Sequence, residues 1–449
     1  MASVRAAAVA GMFYPGERDA LAAELDELIG GVETLAPRLG YPKALVVPHA
    51  GYIYSGPVAA RAFDELAPGR GLIRRVVLLG PVHRVAVRGL ALPGAEFFDT
   101  PLGRIPVDAA AVAALASLPQ VVTSAPAHAM EHALEVQLPF LQEVLGEFSL
   151  VPLAVGMASV QEVAEVIECL WGGPETVIVI STDLSHYHAY EEAKRIDGAT
   201  LTKIAGFAAN INHDEACGAT PLNGLLSLAK KKSLEIKLLA ACNSGDSAGG
   251  KGRVVGYSSF ALHELDGAVS LEVAGNVLLS AARAAIENKL FEKENPKLPY
   301  PWLKQIAATF VTLTKEGKLR GCIGSLEPKR PLSIDVAENA QAAAFRDPRF
   351  PALTAAEWPG CGLEVSLLSA PKPMRFADEA DLLDQVMPGE DGIIVQYEGK
   401  RATYLPQVWE GIPDKQLFFR ELMKKAGMPE GSRLARCKVW RYRVAKWKS

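Results

Sequence analysis

Side chains that can bind a metal ion follow four apolar, β-rich segments in the first half of the chain. In an open α/β sheet, the ligand site forms beyond the carboxyl ends of the strands. We therefore expect these side chains to meet at one edge of a sheet. His49 follows residues 43–48, His83 follows 75–80, Asp183 and His186 follow 176–181, and Cys242 follows 235–241. Two imidazoles with a carboxylate or a thiolate can hold Fe(II), Zn(II) or Cu and leave positions open for substrate.

Two further histidines, His128 and His132, are four residues apart in the segment AHAMEHALEVQLPF. The spacing predicts that both rings lie on one helical face, and the segment 131–145 has the spacing of a helix. Glu131 does not occupy the position that the zinc-protease motif HExxH requires. A capping or core role is the alternative for both histidines. If it is functional, His132 would move a proton or orient a ligand rather than bind the metal.

The elements that would position these residues alternate along the chain. Residues 1–263 contain apolar strands separated by segments with helical spacing, which predicts an α/β domain with a mainly parallel sheet flanked by helices. A short polar stretch, 264–269, is the predicted linker. Residues 270–449 show a mixed order of strands and helices, which favours a smaller α+β domain.

Composition and charge support two globular domains of different chemistry. The chain has 449 residues, of which 49% are hydrophobic and 22% charged, so disorder is excluded. No apolar run reaches the roughly 18 residues of a membrane span. Residues 1–263 carry 20 Lys and Arg against 27 Asp and Glu, a net charge of −7, and contain all eight histidines. Residues 264–449 carry 27 against 24, a net charge of +3.

The six cysteines show no clustered spacing, which favours the reducing cytoplasm.

The second half has one candidate thiol site, in the segment KLRGCIGSL. Arg320 could favour the thiolate of Cys322, and the alternative is a tight turn with a buried cysteine. The segment 415–449 has 11 Lys and Arg interleaved with aromatic residues, a pattern that can suit nucleic acid. A solvated helix followed by an edge strand explains it more simply, so we do not expect nucleic-acid binding.

The first half resembles the Memo family, whose members share the fold of the LigB-type class III extradiol dioxygenases, which use non-haem iron. The resemblance rests on VRAAAVAGMFYPG, VVPHAGYIYSGPVAARAF, LLGPVHR, EHALEVQLPFLQ, STDLSHYH and CNSGD. It implies that His49, His83 and Cys242 are the metal ligands and that Asp183 and His186 line the same pocket. The dioxygenases use His, His and Glu, and that glutamate has no counterpart here.

The second half resembles the AMMECR domain through LRGCIG and the segments that come after it. The resemblance implies that this chain is a fusion of components A and B of the AmmeMemoRadiSam system. The expected partner is then the system's radical SAM protein, which this chain does not encode because it has no CxxxCxxC.

Together these features predict an iron-dependent, dioxygenase-related redox protein that acts on a small-molecule or peptide substrate. Fe(II) is the expected metal, with Cu and Zn as alternatives. His132 or His186 would be the acid–base residue, Asp183 would position water or a ligand, and the AMMECR half would present a substrate or partner. The alternative functions are a non-catalytic metal-binding adaptor for a peptide or modified protein, and zinc-dependent hydrolysis.

Overall fold

The computed structural model describes residues 2–32, 36–264, 269–294, 298–429 and 434–449. The chain forms two compact units, and one short segment of the first half belongs to the second unit. The first unit comprises Met1–Val32 and Tyr41–Ala268, and the second comprises Glu33–Gly40 and Val269–Ser449. The predicted linker 264–269 falls mainly on 265–268, which lie outside the described residues.

The first unit is an α/β domain. Its strands, in chain order, are β1 (Val4–Arg5), β2 (Ala44–Val47), β3 (Arg75–Pro81), β4 (Leu90–Leu92), β5 (Phe97–Thr100), β6 (Gly103–Pro106), β7 (Val121–Thr123), β8 (Ser149–Val155), β9 (Thr176–Ser181), β10 (His186–His188), β11 (Glu235–Asn243) and β12 (Val254–His263). Its helices are α1 (Arg18–Gly30), α2 (Tyr52–Asp64), α3 (Ala109–Ala114), α4 (Ala125–Ala129), α5 (Leu138–Leu145), α6 (Val160–Cys169), α7 (Tyr190–Ala205) and α8 (Ala219–Lys231).

The main sheet has the order β10-β12-β2-β9-β3-β8-β4-β7, with β11 paired to β12. The strands β2, β9, β3 and β8 are mutually parallel. Towards the edges, β12 is antiparallel to β2 and β4 is antiparallel to β8. The predicted α/β class is therefore confirmed, with a parallel centre and antiparallel outer strands. Because β11 is antiparallel to β12, it runs in the same direction as β2 and ends at the same edge.

The central strands form where the sequence has short continuous apolar runs. Every residue of β2 and β9 is buried, and side chains on opposite faces of the sheet enter separate hydrophobic clusters. Such runs are typical of parallel strands that helices cover on both faces. The predicted strands at the sheet centre are confirmed to within a residue or two.

The predicted helix over 131–145 is wrong in its first part. Helix α4 ends at Ala129 and α5 begins only at Leu138, after a 3-10 turn at Glu135–Gln137. Between the helices, the carboxylate of Glu131 accepts a hydrogen bond from the backbone N–H of Ala133 at 3.0 Å. A side chain that bonds the backbone two residues ahead competes with helical hydrogen bonding. His128 and His132 therefore do not share a helical face.

The second unit is an α+β domain, as predicted. Its strands are β13 (Ile306–Lys315), β14 (Lys318–Gly324), β15 (Arg330–Pro331), β16 (Cys361–Leu368), β17 (Lys372–Pro373), β18 (Gly392–Tyr397), β19 (Lys400–Tyr404), β20 (Lys438–Tyr442) and β21 (Val444–Lys448). Its helices are α9 (Leu271–Phe291), α10 (Leu332–Phe345), α11 (Glu379–Gln385), α12 (Val408–Gly411) and α13 (Lys415–Lys425). The described residues of this unit form two sheets, β14-β13-β16-β21 with β15 on β13, and β17-β20-β18-β19.

The first glycine of LRGCIG is explained by the close packing of β14 on α10. A Cβ atom at Gly321 would lie 2.1 Å from the backbone oxygen of Ala343 in α10. Since a backbone atom cannot rotate away, we expect Gly321→Ala to destabilise the second unit by about 3 kcal/mol, the upper range for overpacked sites. Scanning calorimetry of the full chain measures this as a lower Tm. Gly360→Ala is the matched control, because a Cβ there has no atom within 4 Å. Equal Tm values for the two variants would contradict the packing argument.

Candidate metal centre

Three histidines converge at the carboxyl edge of the parallel strands. His49 follows β2, His83 follows β3, and His132 lies in the loop between α4 and α5. One nitrogen of each can be chosen so that all three lie within 4.8 Å of one another. His49 is buried, His132 is half-buried and His83 is exposed, so the cluster opens from the sheet towards solvent. This is the arrangement of a metal site with room for an exogenous ligand.

Hydrogen bonds fix which nitrogen of His49 faces a metal. The Ser181 hydroxyl donates to the backbone oxygen of Ala133 at 2.6 Å and accepts from the Gln137 side-chain amide at 3.0 Å. Its single hydrogen is therefore used, and it accepts from Nδ1–H of His49 at 2.9 Å. The lone pair of His49 then lies on Nε2, which is free to bind a metal.

Glu131 orients the His83 ring in the same way and lies close to the His132 ring. Its Oε1 lies 2.9 Å from Nδ1 of His83 and 3.3 Å from Nδ1 of His132. Its Oε2 accepts the backbone N–H of His83 at 2.7 Å. A carboxylate that accepts from Nδ1–H leaves Nε2 as the metal-binding atom, the usual outer support of histidine ligands. The sequence comparison with HExxH missed this role of Glu131.

The electrostatics of the cluster favour the forms that bind metal. Burial, together with the nearby His83, lowers the pKa of His49 to about 3. Burial and His49 lower the pKa of His132 to about 4. Burial alone would raise the pKa of Glu131, but hydrogen bonding and charge interaction with His83 lower it to about 2. At neutral pH, therefore, His49 and His132 offer neutral imidazoles and Glu131 is a carboxylate. The donor set fits a divalent transition metal.

Asp183 contacts His49 of the cluster, and His186 is near enough to interact electrostatically with both residues. The buried carboxylate of Asp183 accepts the backbone N–H of His49 at 2.7 Å, and its other oxygen is 3.9 Å from Nε2 of that ring. Burial raises the pKa of Asp183, while the hydrogen bond from His49 and the charge of His186 oppose the rise. His186 is half-buried on β10. The predicted roles of Asp183 in positioning a ligand and of His186 in proton transfer stay predictions.

Sulfur donors occur at two places near this edge. Cys242 is on β11 opposite Tyr257, and burial raises its pKa to about 11. Within the described residues, the three-histidine group contains His132 and not Cys242, so ligation by Cys242 stays a prediction. Cys217, which was not among the predicted ligands, has its Sγ 3.3 Å from Nε2 of His49.

His128 has a structural environment. It is buried, and its Nε2 lies 2.7 Å from the backbone oxygen of Ala91. Burial lowers the pKa of His128 to about 4, although the hydrogen bond to Ala91 acts to raise it. The ring therefore ties α4 to β4 as a neutral donor, in agreement with the core role that the sequence left open for it.

In the second unit, the Cys322 thiol accepts a hydrogen bond from Oγ1 of Thr312 at 3.3 Å. Arg320 is directed elsewhere, because Nε donates to Glu357 at 2.9 Å and Nη2 donates to the backbone oxygen of Pro351 at 2.9 Å. The structure thus gives Arg320 a carboxylate partner. The role of both residues in chemistry stays a prediction.

Glu131→Gln tests the support of the histidines without removing a ligand. The amide oxygen of glutamine accepts less strongly than a carboxylate, so Nδ1–H of His83 loses its strong acceptor and the ring loses its fixed orientation. We expect metal affinity to fall by about 10- to 100-fold, measured by competition with a chromophoric chelator. Glu147→Gln, at an exposed position, is the control. Unchanged affinity in Glu131→Gln would contradict the orienting role.

The fold and the site define an α/β metal-site domain joined to an α+β domain. Residues 5–261 match the family model described as Memo-like protein, and residues 279–447 match AMMECR1. The chain belongs to the Memo family and carries an AMMECR1 domain after its Memo domain, which confirms both resemblances.

The first unit matches relatives over nearly the whole length of each relative. A MEMO1 family protein of Pyrobaculum arsenaticum is 35% identical over 280 residues, covering 58% of this chain and 99% of the relative. One from Thermotoga neapolitana is 36% identical over 277 residues, covering 57% and 98%. The crystal structure of an uncharacterized protein from Pyrococcus horikoshii has 30% identity and a TM-score of 0.35, and covers 39% of this chain and 91% of its own. None of the described helices is long and apolar enough to cross a membrane.

Proposed function

We propose that the chain is a metal-dependent redox protein related to the extradiol dioxygenases. Its Memo domain would bind Fe(II) through His49, His83 and His132. The observation that carries the proposal is the convergence of three histidines, two of which, His49 and His83, have Nδ1 held by hydrogen bonds to Ser181 and Glu131. Three protein ligands leave positions for a substrate, as in non-haem iron sites.

The residues around the metal would bind and orient the substrate. When bound, iron would supply Lewis acidity and one-electron redox chemistry. Asp183 would orient a water molecule or a substrate hydroxyl through its carboxyl group. His186, which is half-buried, would take up and return a proton. In this arrangement His132 serves as a ligand instead of the acid–base residue that the sequence suggested.

The ligand set also supports a second candidate, a zinc-dependent hydrolase, because three histidines form the catalytic zinc site of other enzymes. A third alternative, an adaptor that binds a peptide or modified protein without turnover, uses the same metal site. In each case we propose that the chain works in the cytoplasm with a radical SAM protein and that the AMMECR1 domain helps to recognise the substrate or this partner.

The test is metal analysis of the full chain purified without oxygen, followed by oxygen-uptake assays with catechols and peptides. We expect about one iron per chain and oxygen uptake that a chelator abolishes. If the bound metal is zinc and the chain has a hydrolytic activity that oxygen does not affect, the result favours the hydrolase over the iron-dependent redox protein. A bound metal with no turnover of any substrate would favour the adaptor.

A further inference from the structure

We propose that Cys217 is a sulfur ligand of this metal, in addition to the histidines. The inference rests on the proposed function, which places a metal ion at the cluster. Cys217 lies in the loop that leads into α8, and its Sγ is 3.3 Å from Nε2 of His49. This is the nitrogen that the hydrogen bond to Ser181 leaves free for a metal.

The separation of the two atoms suits a shared ion. With metal–nitrogen bonds of about 2.0 Å and metal–sulfur bonds of about 2.3 Å, two ligand atoms in a tetrahedral site lie about 3.5 Å apart. The sulfur of Cys217 and Nε2 of His49 are already close to that separation. The three histidine donor atoms lie within 4.8 Å of one another and the group does not include Cys217, so its sulfur would have to move closer to the rest of the group to bind the same ion.

The surroundings of Cys217 fix its sulfur beside the cluster. Sγ accepts the backbone N–H of Asp183 at 3.3 Å, and hydrogen bonds of this kind tune metal-bound sulfur. The loop itself is held by the N–H of Gly218, which donates to Oγ1 of Thr182 at 2.8 Å. The sulfur is therefore positioned by β9 and the residues directly after it, the same elements that position Asp183.

Metal binding would replace the S–H bond of Cys217 with a metal–sulfur bond. The Cys217 thiol would release its proton to solvent, and the thiolate together with the lone pair of Nε2 of His49 would take ligand positions that water molecules hold on the free ion. No electrons are transferred in this step. Three neutral imidazoles and one thiolate would leave a divalent ion with one net positive charge, and the buried carboxylate of Glu131 lies next to these ligands.

Cobalt spectroscopy of the full chain tests the inference. Co²⁺ is added to anaerobic protein, and the near-ultraviolet thiolate-to-cobalt charge-transfer band is compared in the wild type, Cys217→Ser, Cys242→Ser and the double variant. Cys169→Ser, at an exposed position, is the control. We expect loss of the band in Cys217→Ser and a fall in Co²⁺ affinity of more than about tenfold. Circular dichroism confirms that each variant is folded.

Each outcome decides the matter. A band that weakens in each single variant and vanishes only in the double variant supports Cys217 as one of two sulfur ligands. A band that Cys217→Ser leaves intact, or cobalt binding without any such band, overturns the inference while the metal site stands. Failure of the wild type to bind Co²⁺ overturns both the proposed function and the inference. Mass-spectrometric alkylation of the wild type is the check that needs no variant, since bound metal should slow modification of Cys217.

Discussion

Replacing His49 with alanine is expected to lower the metal affinity of the chain by more than about 100-fold, because loss of a ligand exceeds the 10- to 100-fold cost of losing a residue that only orients one. His49 is the buried member of the cluster, so water cannot readily take its place. The affinity is measured by chelator competition, and the metal content of protein purified without oxygen should fall below the detection limit.

The matched control is His263→Gln. His263 pairs with Glu235 at the start of β11, at the opposite end of that strand from Cys242, and the substitution should leave the metal content unchanged. If His49→Ala retained the wild-type affinity, the histidine cluster would not be the metal site.

The second large effect is expected from Glu135→Gln, which breaks a buried ion pair. Glu135 is fully buried and pairs with Nη1 of Arg5. Its carboxylate also accepts the backbone N–H groups of Ala8 and Val9 at 2.7 and 2.9 Å, and the hydroxyl of Tyr14 at 2.7 Å. Removing one partner of a buried pair leaves an uncompensated charge and costs about 3–5 kcal/mol. We expect the Tm of the first unit to fall by about 10 °C.

This pair also supports the site loop. Arg5 donates to the backbone oxygens of His128 and Glu131 at 3.0 and 2.6 Å, so the amino-terminal segment holds the loop that carries His132. Scanning calorimetry of Glu135→Gln, Arg5→Met and the double variant measures the coupling, and the double variant should cost less than the sum of the single ones. Strict additivity would show that the two residues act separately.

The sheet and most of one site could be predicted because short apolar runs specify buried strands, and parallel strands bring the residues at their carboxyl ends to one edge. This rule singled out His49 and His83, which belong to the histidine group, together with Asp183 and His186. The loop that carries His132 could not be predicted as such, because the local spacing favours a helix. The helix is prevented by the hydrogen bonds that Glu131 makes to Ala133 and, across the chain, to His83.

Cys217 escaped the sequence analysis for a topological reason. It does not follow a strand but precedes α8, and its approach to His49 depends on a loop whose path the local sequence does not specify. The role of Glu135 likewise depends on residues about 120 to 130 positions away in the chain. Contacts of this range follow from the tertiary fold and have no local pattern.

The segment that crosses into the second unit limits how this polypeptide can be divided. Gln305 accepts the N–H of Gly40 at 3.0 Å and donates to the backbone oxygen of Arg38 at 3.1 Å, and Leu39 packs in the core of that unit. The chain passes from one unit to the other at 32/33, at 40/41 and at 268/269. A gene fragment starting near residue 270 would leave an apolar vacancy where Leu39 belongs. A recombination event that exchanged the two halves at a single junction would separate Leu39 from the unit in whose core it packs, and that core would be incomplete.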